Sequence, residues 1–231
     1  MDAYIATSKS IYSVLKEEIL NLTIKPGQKI SESKICSRFQ ASRTPVRNAF
    51  QRLKDAGLLT IIPYKSTSAS LLDFSQIEQS IYMRIAVESM VIRDLIKEYD
   101  AFVLEKIRFN LQQQKLLLCG EVDAEEFYAL DSALHGIWFQ ITNKKALWNL
   151  IQRMQVHYMR FRMLDIVAVQ NFQEIYEEHV EIMQAICNKE LEKIEPMMRR
   201  HLYGGIKRLG NRIETEFADY FTSADDECNW L

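Results

Sequence analysis

The sequence is poor in several features that define whole protein classes. Its cysteines, Cys36, Cys119, Cys187 and Cys228, lie far apart and form no C-x-x-C pair. They give no zinc ribbon and no disulfide framework, and fit reduced thiols in a cytoplasmic protein. No apolar run approaches the ~20 residues that a membrane-spanning helix needs. The start, with Asp2 and no long apolar core, is not a secretory signal, so no membrane partner is expected. Proline and glycine are scarce too. After Pro26, Pro45 and Pro63 the next proline is Pro196, and between those last two only Gly120 and Gly136 interrupt. A stretch that long without proline, with apolar residues three and four apart, reads as successive helices. No internal repeat or low-complexity tract is present.

Net charge is also small, −2, but it is unevenly placed. Residues 1–70 carry 11 Lys/Arg against 5 Asp/Glu, which leaves 18 basic and 26 acidic residues for 71–231. A basic head joined to an acidic body points to a nucleic-acid partner for the head, against the rival reading of chance clustering of solvated charge. With 231 residues and 48% hydrophobic content the chain has material for one large core or two modest ones. The change in punctuation and charge near 70–75 divides it into domains at 1–72 and 73–231.

In the head, Ile11, Val14, Leu15, Ile19 and Leu22 mark an amphipathic helix that Pro26-Gly27 ends. Ser31 caps a second helix over Glu32 to Phe39, and a third spans roughly Arg43 to Ala56, with Pro45 in its first turn. Gly57 stops it. Residues 58–62 and 67–71 then pair as a hairpin around Pro63-Tyr64-Lys65-Ser66. Three helices and a hairpin make a winged helix-turn-helix. In the body, Ser75-Gln76-Ile77-Glu78 has a capping-box pattern that starts a helix reaching about Tyr99, with Asp100 as cap of the next. Helices are expected over 101–118, 124–142, 144–165, 171–187 and 190–212, with Asp123 and Asn143 as caps. Short connections imply antiparallel neighbours. The fold class is mainly α, a winged helix-turn-helix followed by an all-helical bundle.

On the third helix Val46, Ala49, Phe50 and Leu53 form the buried face, and Arg43 and Arg47, four apart, share the opposite one with Thr44, Asn48 and Gln51 nearby. Such a face can be a solvated surface or a recognition face in the major groove, where arginine reads guanine edges or clamps phosphate. Pro26-Gly27, Ile30, Glu32, Ile35, Phe39, the run Ser42-Arg43-Thr44-Pro45-Val46-Arg47-Asn48-Ala49-Phe50, Leu53 and Gly57-Leu58-Leu59 together resemble the GntR-family winged helix-turn-helix. That resemblance implies that Arg43 and Arg47 are the main contacts to double-stranded DNA. It also makes Thr44 a phosphate or base contact, with Ser42 beside it, and the hairpin the wing. Where the family usually carries a wing glycine this chain has Lys65-Ser66-Thr67, leaving Lys65 to reach phosphate.

In the body, Asp131 and His135 project from the apolar face of the 124–142 helix, among Phe127, Leu130, Leu134, Trp138 and Ile141. A buried carboxylate needs a partner, either the histidine alone or a metal. His179, on the stripe of Ile175, Ile182, Met183 and Ile186, and His201, with Ile194, Met198 and Leu202, also point inward. If their helices form a hairpin turning near Asn188, the two imidazoles differ by about 6 Å in height, within reach of one ion. One aspartate and three imidazoles suit a divalent metal ion, zinc first, with nickel, manganese or iron as alternatives. The same four positions, with Met83 to Glu88 and Glu178 to Ile186, resemble the metal site of the FCD effector domain found in the FadR-like branch of the GntR family. Cys187-Asn188-Lys189-Glu190 replaces its usual Gly-Asp turn. His157 has a spacing from Met154 and Phe161 that also turns it inward, and the family pattern assigns it to packing.

A metal held this way keeps positive charge and room for an oxygen ligand, so a small carboxylate metabolite is the expected guest. The resemblance places Arg84 against it, and the rival reading pairs Arg84 with Glu88 four residues on. Arg162 is a second pocket residue. The expected protein is a homodimeric repressor of a palindromic operator, controlled by that metabolite, and not an enzyme. A metalloenzyme with an attached DNA-binding head is the rival from another class, and it lacks a motif such as H-E-x-x-H. A regulator for which the metal itself is the signal is the third reading.

Overall fold

The first helix begins where Thr7, in extended conformation, accepts the Ser10 amide on its hydroxyl, and the computed structural model describes residues 7–98 and 101–222. Helix α1 (Ser8–Leu20) buries Ile11, Leu15 and Ile19 completely. Ser31 caps α2 (Glu32–Phe39) as expected, accepting the Lys34 amide at 3.4 Å. Gln40, at φ 49°, turns the chain into α3 (Arg43–Asp55), whose buried residues are Val46, Ala49, Phe50 and Leu53. That face packs on α1 and α2 and leaves the arginine face outside.

Strands β1 (Leu59–Ile62) and β2 (Ser66–Ala69) pair antiparallel from Leu59 opposite Ala69 to Ile62 opposite Ser66. The Pro26-Gly27 turn docks on this hairpin. The Gly27 amide donates to the Ala69 carbonyl and the Ala69 amide to that of Gln28, both at 3.0 Å. Gly27 has φ 76°, and a Cβ there would sit 3.2 Å from Leu71 Cδ2. A side chain would meet both backbone strain and crowding.

Two compact units result, residues 7–74 with 211–222, and 75–210. The segment after Gly210, read from sequence as part of the helical body, belongs to the first unit. The buried Leu72 donates its amide to the Tyr220 carbonyl at 2.8 Å and accepts the Thr222 amide at 2.9 Å, in a one-residue parallel bridge to Phe221. An isolated bridge has no periodicity to betray it.

The second unit is built from α4 (Phe74–Glu98), α5 (Ala101–Leu117), α6 (Ala124–Ile141), α7 (Lys145–Met154), α8 (Val156–Val169), α9 (Phe172–Cys187) and α10 (Leu191–Leu209). Helix α5 packs on α6 and α9, α6 on α8, and α10 on both α8 and α9. Asp123 caps α6 by accepting the amides of Glu125 and Glu126 at 2.8 and 3.0 Å. Asp100 lies outside the described residues. The expected single helix over 144–165 is instead two, because Gln155 leaves the helical region at φ −102°, ψ 33°. Neither proline nor glycine marks that break. Asn143 is not a cap but a left-handed turn residue at φ 58°, and Lys144 stands at the start of α7. Lys189, at φ 58°, makes the left-handed turn between α9 and α10. No described helix is long and apolar enough to cross a membrane.

Candidate metal centre and nucleic-acid interface

Three helices bring the four inward-facing residues of the body together. Asp131 and His135 stand one turn apart on α6, His179 comes from α9 and His201 from α10. All four are buried, and one ligand atom from each lies within 4.8 Å of the others. His135 Nε2 faces His201 Nε2 at 3.2 Å, and His179 Nε2 lies 3.4 Å from Asp131 Oδ1.

The far nitrogen of each imidazole has its own partner. His135 Nδ1 meets Glu88 Oε2 at 2.5 Å, His201 Nδ1 meets Glu178 Oε2 at 2.8 Å, and His179 Nδ1 meets Gln114 Oε1 at 2.9 Å. The carboxylates only accept, so His135 and His201 must donate from Nδ1. For His179 the direction follows from a relay. The Leu130 carbonyl accepts the Asn110 amide NH₂ at 3.1 Å, which leaves Asn110 Oδ1 to accept from Gln114 Nε2 at 2.7 Å. Gln114 Oε1 is then an acceptor for His179 Nδ1. All three rings thereby carry their Nδ1 proton toward the outside of the cluster, and their Nε2 atoms converge beside a carboxylate.

Burial disfavours positive charge on two of the rings. Burial, the largest influence, pushes His135 below the usual histidine range despite Glu88. Burial and then the neighbouring His201 push His179 well below it. On Asp131, burial alone would raise the carboxyl, but the Arg162 charge and then the histidines hold it well below the ordinary range. Glu88 is likewise opposed by burial and held at about 2 by Arg84 and His135. His135 Nε2 and His201 Nε2, 3.2 Å apart, can share a proton or hold a cation between them. His179 Nε2 is buried with no hydrogen-bond partner. The donor set therefore fits a divalent ion, with each histidine oriented from behind in the way that metal-binding imidazoles need.

Beside the quartet lies a cavity lined by Arg84, Tyr128, Asp131, Tyr158 and Arg162, among others, with an accessible volume of about 10 Å³. That is room for about one water molecule. Arg84 makes the ion pair with Glu88 that the rival reading anticipates, yet its guanidinium also lies over the Tyr158 ring at 5.0 Å and lines the cavity. Arg162 bridges Asp131 at 3.0 Å and Asp165 at 2.8 Å. Asp165 also takes Arg208 at 2.8 Å, an approach kept open by Gly205, where a Cβ would stand 3.1 Å from Asp165 Oδ2. His157 is buried on α8 but is not among the four clustered ligands. Sequence reasoning missed Glu88, Gln114 and Glu178 as partners of the histidines. Adjacency of Glu178 to His179 and the Arg84–Glu88 spacing were the signals available for two of them.

In the first unit the structure sets Ser42, Arg43, Thr44 and Arg47 at the start of α3, all exposed, and Lys65, also exposed, in the hairpin turn. Ser42 occupies the N-cap position without a side-chain capping bond, so its hydroxyl is not committed to the helix. Tyr64, at φ 59°, takes the left-handed position in the glycine-free turn and is fully exposed.

A helix-turn-helix with a hairpin wing, joined in one chain to a helical body, is the architecture of a DNA-binding transcriptional regulator. Sequence comparisons agree: residues 7–68 match the bacterial regulatory proteins of the gntR family, and residues 79–204 match the FCD domain. The chain belongs to the GntR family of transcriptional regulators, with an FCD domain as its body. It is 28% identical over 218 residues to the HTH-type transcriptional repressor RspR of Escherichia coli (strain K12), spanning 93% of each chain. It is 24% identical over 205 residues to the regulator YdhC of Bacillus subtilis (strain 168), spanning 88% of this chain and 91% of that one. Among solved structures, E. coli McbR/YncC superposes with a TM-score of 0.66 at 17% identity, over 88% of this chain and 96% of that one. A GntR regulator from Rhodococcus sp. RHA1 gives 0.66 at 18%, over 88% and 97%. These relatives are regulators, not enzymes.

Proposed function

We propose that this regulator acts in the cytoplasm as a homodimeric repressor of a palindromic operator, and that a small carboxylate bound at a divalent metal controls its hold on DNA. The observation that carries the ligand half is the convergence of three Nε2 atoms beside Asp131, each ring held from behind at Nδ1. Asp131, His135, His179 and His201 are the metal ligands, and zinc suits them best, with nickel, manganese or iron as alternatives. The ion, when bound, supplies a Lewis-acidic position for a carboxylate oxygen. Arg84 and Arg162 supply fixed positive charge in the adjoining cavity. Because that cavity has room for about one water, an acid must widen it to enter, and widening it disturbs the Arg162 bridge between Asp131 and Asp165. That disturbance gives the effector a differential interaction with two states, which control requires.

In the head, Arg43 and Arg47 read bases, with Ser42, Thr44 and Lys65 on the backbone. A dimer suits the two half-sites of a palindrome, and the apolar stripe of Leu147, Leu150 and Met154 on α7, 44%, 47% and 60% exposed, offers it a surface.

The test uses full-length metal-loaded protein, an operator selected from random duplexes, and a panel of small carboxylates screened by thermal shift. An acid that raises the melting temperature is expected to change operator affinity at least about tenfold, the common size of allosteric coupling. Operator binding that ignores every acid and follows the metal alone would favour metal sensing instead.

Glu88 gives a separate prediction. Glu88→Gln replaces the full charge behind His135 with a neutral amide, and outer-shell changes of this kind cost about 10- to 100-fold in metal affinity. Competition with a chromophoric chelator measures it, and unchanged affinity would mean that Glu88 serves Arg84 alone.

A further inference from the structure

The first turn of α2 carries an acid that touches both base-reading arginines. Glu32 Oε2 accepts a hydrogen bond from Arg47 Nε at 2.9 Å, and Glu32 Oε1 lies 3.6 Å from Arg43 Nε. One carboxylate thus takes one oxygen to each arginine across the turn between α2 and α3. The acid is itself sheltered, with its side chain 29% exposed, while Arg43 and Arg47 are 75% and 64% exposed. Both pairs therefore lie in water-rich surroundings, where an ion pair adds little to stability. A role in folding is a weak reason for the arrangement.

Its geometry has a stronger consequence for recognition. In each arginine the Nε side faces Glu32, and the Nη1–Nη2 edge has no protein partner among the described residues. That edge has the fork needed for guanine N7 and O6. Long side chains lose rotamer freedom when they bind, and a carboxylate that holds them in advance lowers that cost for the end-on base contact. The same negative charge stands where a phosphate has to come if either arginine is to turn sideways onto the backbone. Phosphate contact is the source of non-specific affinity. Glu32 opposes it while leaving the base-reading edge available, which is discrimination by repulsion as well as by attraction.

We infer that Glu32 is a specificity-determining positioning residue, which presents Arg43 and Arg47 end-on to bases and disfavours their use as phosphate clamps. The inference rests on the reading of these arginines as base contacts, and the experiment separates the two. Affinities of the full-length protein for its selected operator and for a random duplex of equal length are measured across a salt series, for wild type, E32Q and the control E17Q. Glu17 is an exposed acid on α1, so its substitution makes the same change in net charge away from the recognition pair.

For E32Q, random-duplex binding is expected to tighten and its log–log salt slope to steepen by about one, as one more phosphate contact is gained. Operator binding is expected to stay level or weaken. The ratio of specific to non-specific affinity then falls about tenfold, the size of a partly lost bidentate contact, while E17Q keeps the wild-type ratio. A merely structural role moves both affinities together and leaves the ratio and slope alone, and that result overturns the inference. An equal fall in E17Q overturns it as well, by reducing the effect to net charge. If R47A binds the operator as wild type does, the base-contact reading itself is what fails.

Discussion

His179→Ala is expected to lose stoichiometric metal and with it much of the thermal stability of the helical unit. The ring removed lies at the centre of the cluster, with Asp131 on one side and Gln114 on the other. Its loss takes away one of four ligands and leaves Gln114 Oε1 as a buried acceptor without its donor, a defect that costs about 1–3 kcal/mol before any metal is counted. The metal contribution follows from mass action. At a free concentration about 1,000 times its dissociation constant, an ion stabilises the folded state by about 4 kcal/mol. For a chain of this size each kcal/mol moves the melting temperature by about 2–4 °C, so chelating the wild type should lower it by about 8–16 °C. His179→Ala should start from the lowered value and show almost no further response to chelator. Elemental analysis and a thermal melt with and without chelator provide the check. Full occupancy in the variant would remove His179 from the ligand set.

The second large effect concerns the head. Arg47→Ala should weaken operator binding by about 1–3 kcal/mol, roughly 5- to 150-fold, if the side chain makes a bidentate base contact. Arg43→Ala should do the same through a different base pair. Because these side chains are exposed and their helix is fixed by Val46, Ala49, Phe50 and Leu53 on the other face, neither change should disturb folding. A base reader also relaxes the sequence preference at one position, whereas a phosphate contact weakens all duplexes alike. Selecting operators anew with each variant distinguishes the two, and an unchanged affinity for the original operator would remove that arginine from the interface.

The head was legible because its information is contiguous. Ser31, Pro45, Gly57 and the 3-4 spacing of Val46 to Leu53 each specify local structure, and all of them agree with the helices formed. The gathering of Asp131, His135, His179 and His201 was legible in another way: spacing turned them inward but turned His157 inward too, and the family resemblance singled out these four. What stands behind the imidazoles was not. Glu88 and Gln114 lie 47 and 65 residues from the histidines they hold; each continues the apolar stripe of its helix, which marks it as inward but does not say which histidine it meets. The break at Gln155 was hidden because glutamine is a good helix former and neither proline nor glycine stands beside it. Glu32 stood within the family pattern, but its hold on two arginines depends on how the turn between α2 and α3 is folded.

The bridge at Leu72 changes what counts as the head. Because Tyr220 and Thr222 complete the hydrogen bonding of a residue with no exposed surface, the DNA-binding unit is discontinuous in sequence, its pieces lying on either side of a 75–210 insertion. A fragment ended at residue 74 lacks part of its own sheet-like edge and bares an amide and a carbonyl that the intact chain keeps paired, each a loss of about 1–3 kcal/mol if left unsatisfied. The body is therefore spliced into the head by two covalent crossings, and a single nick at either one leaves the halves attached.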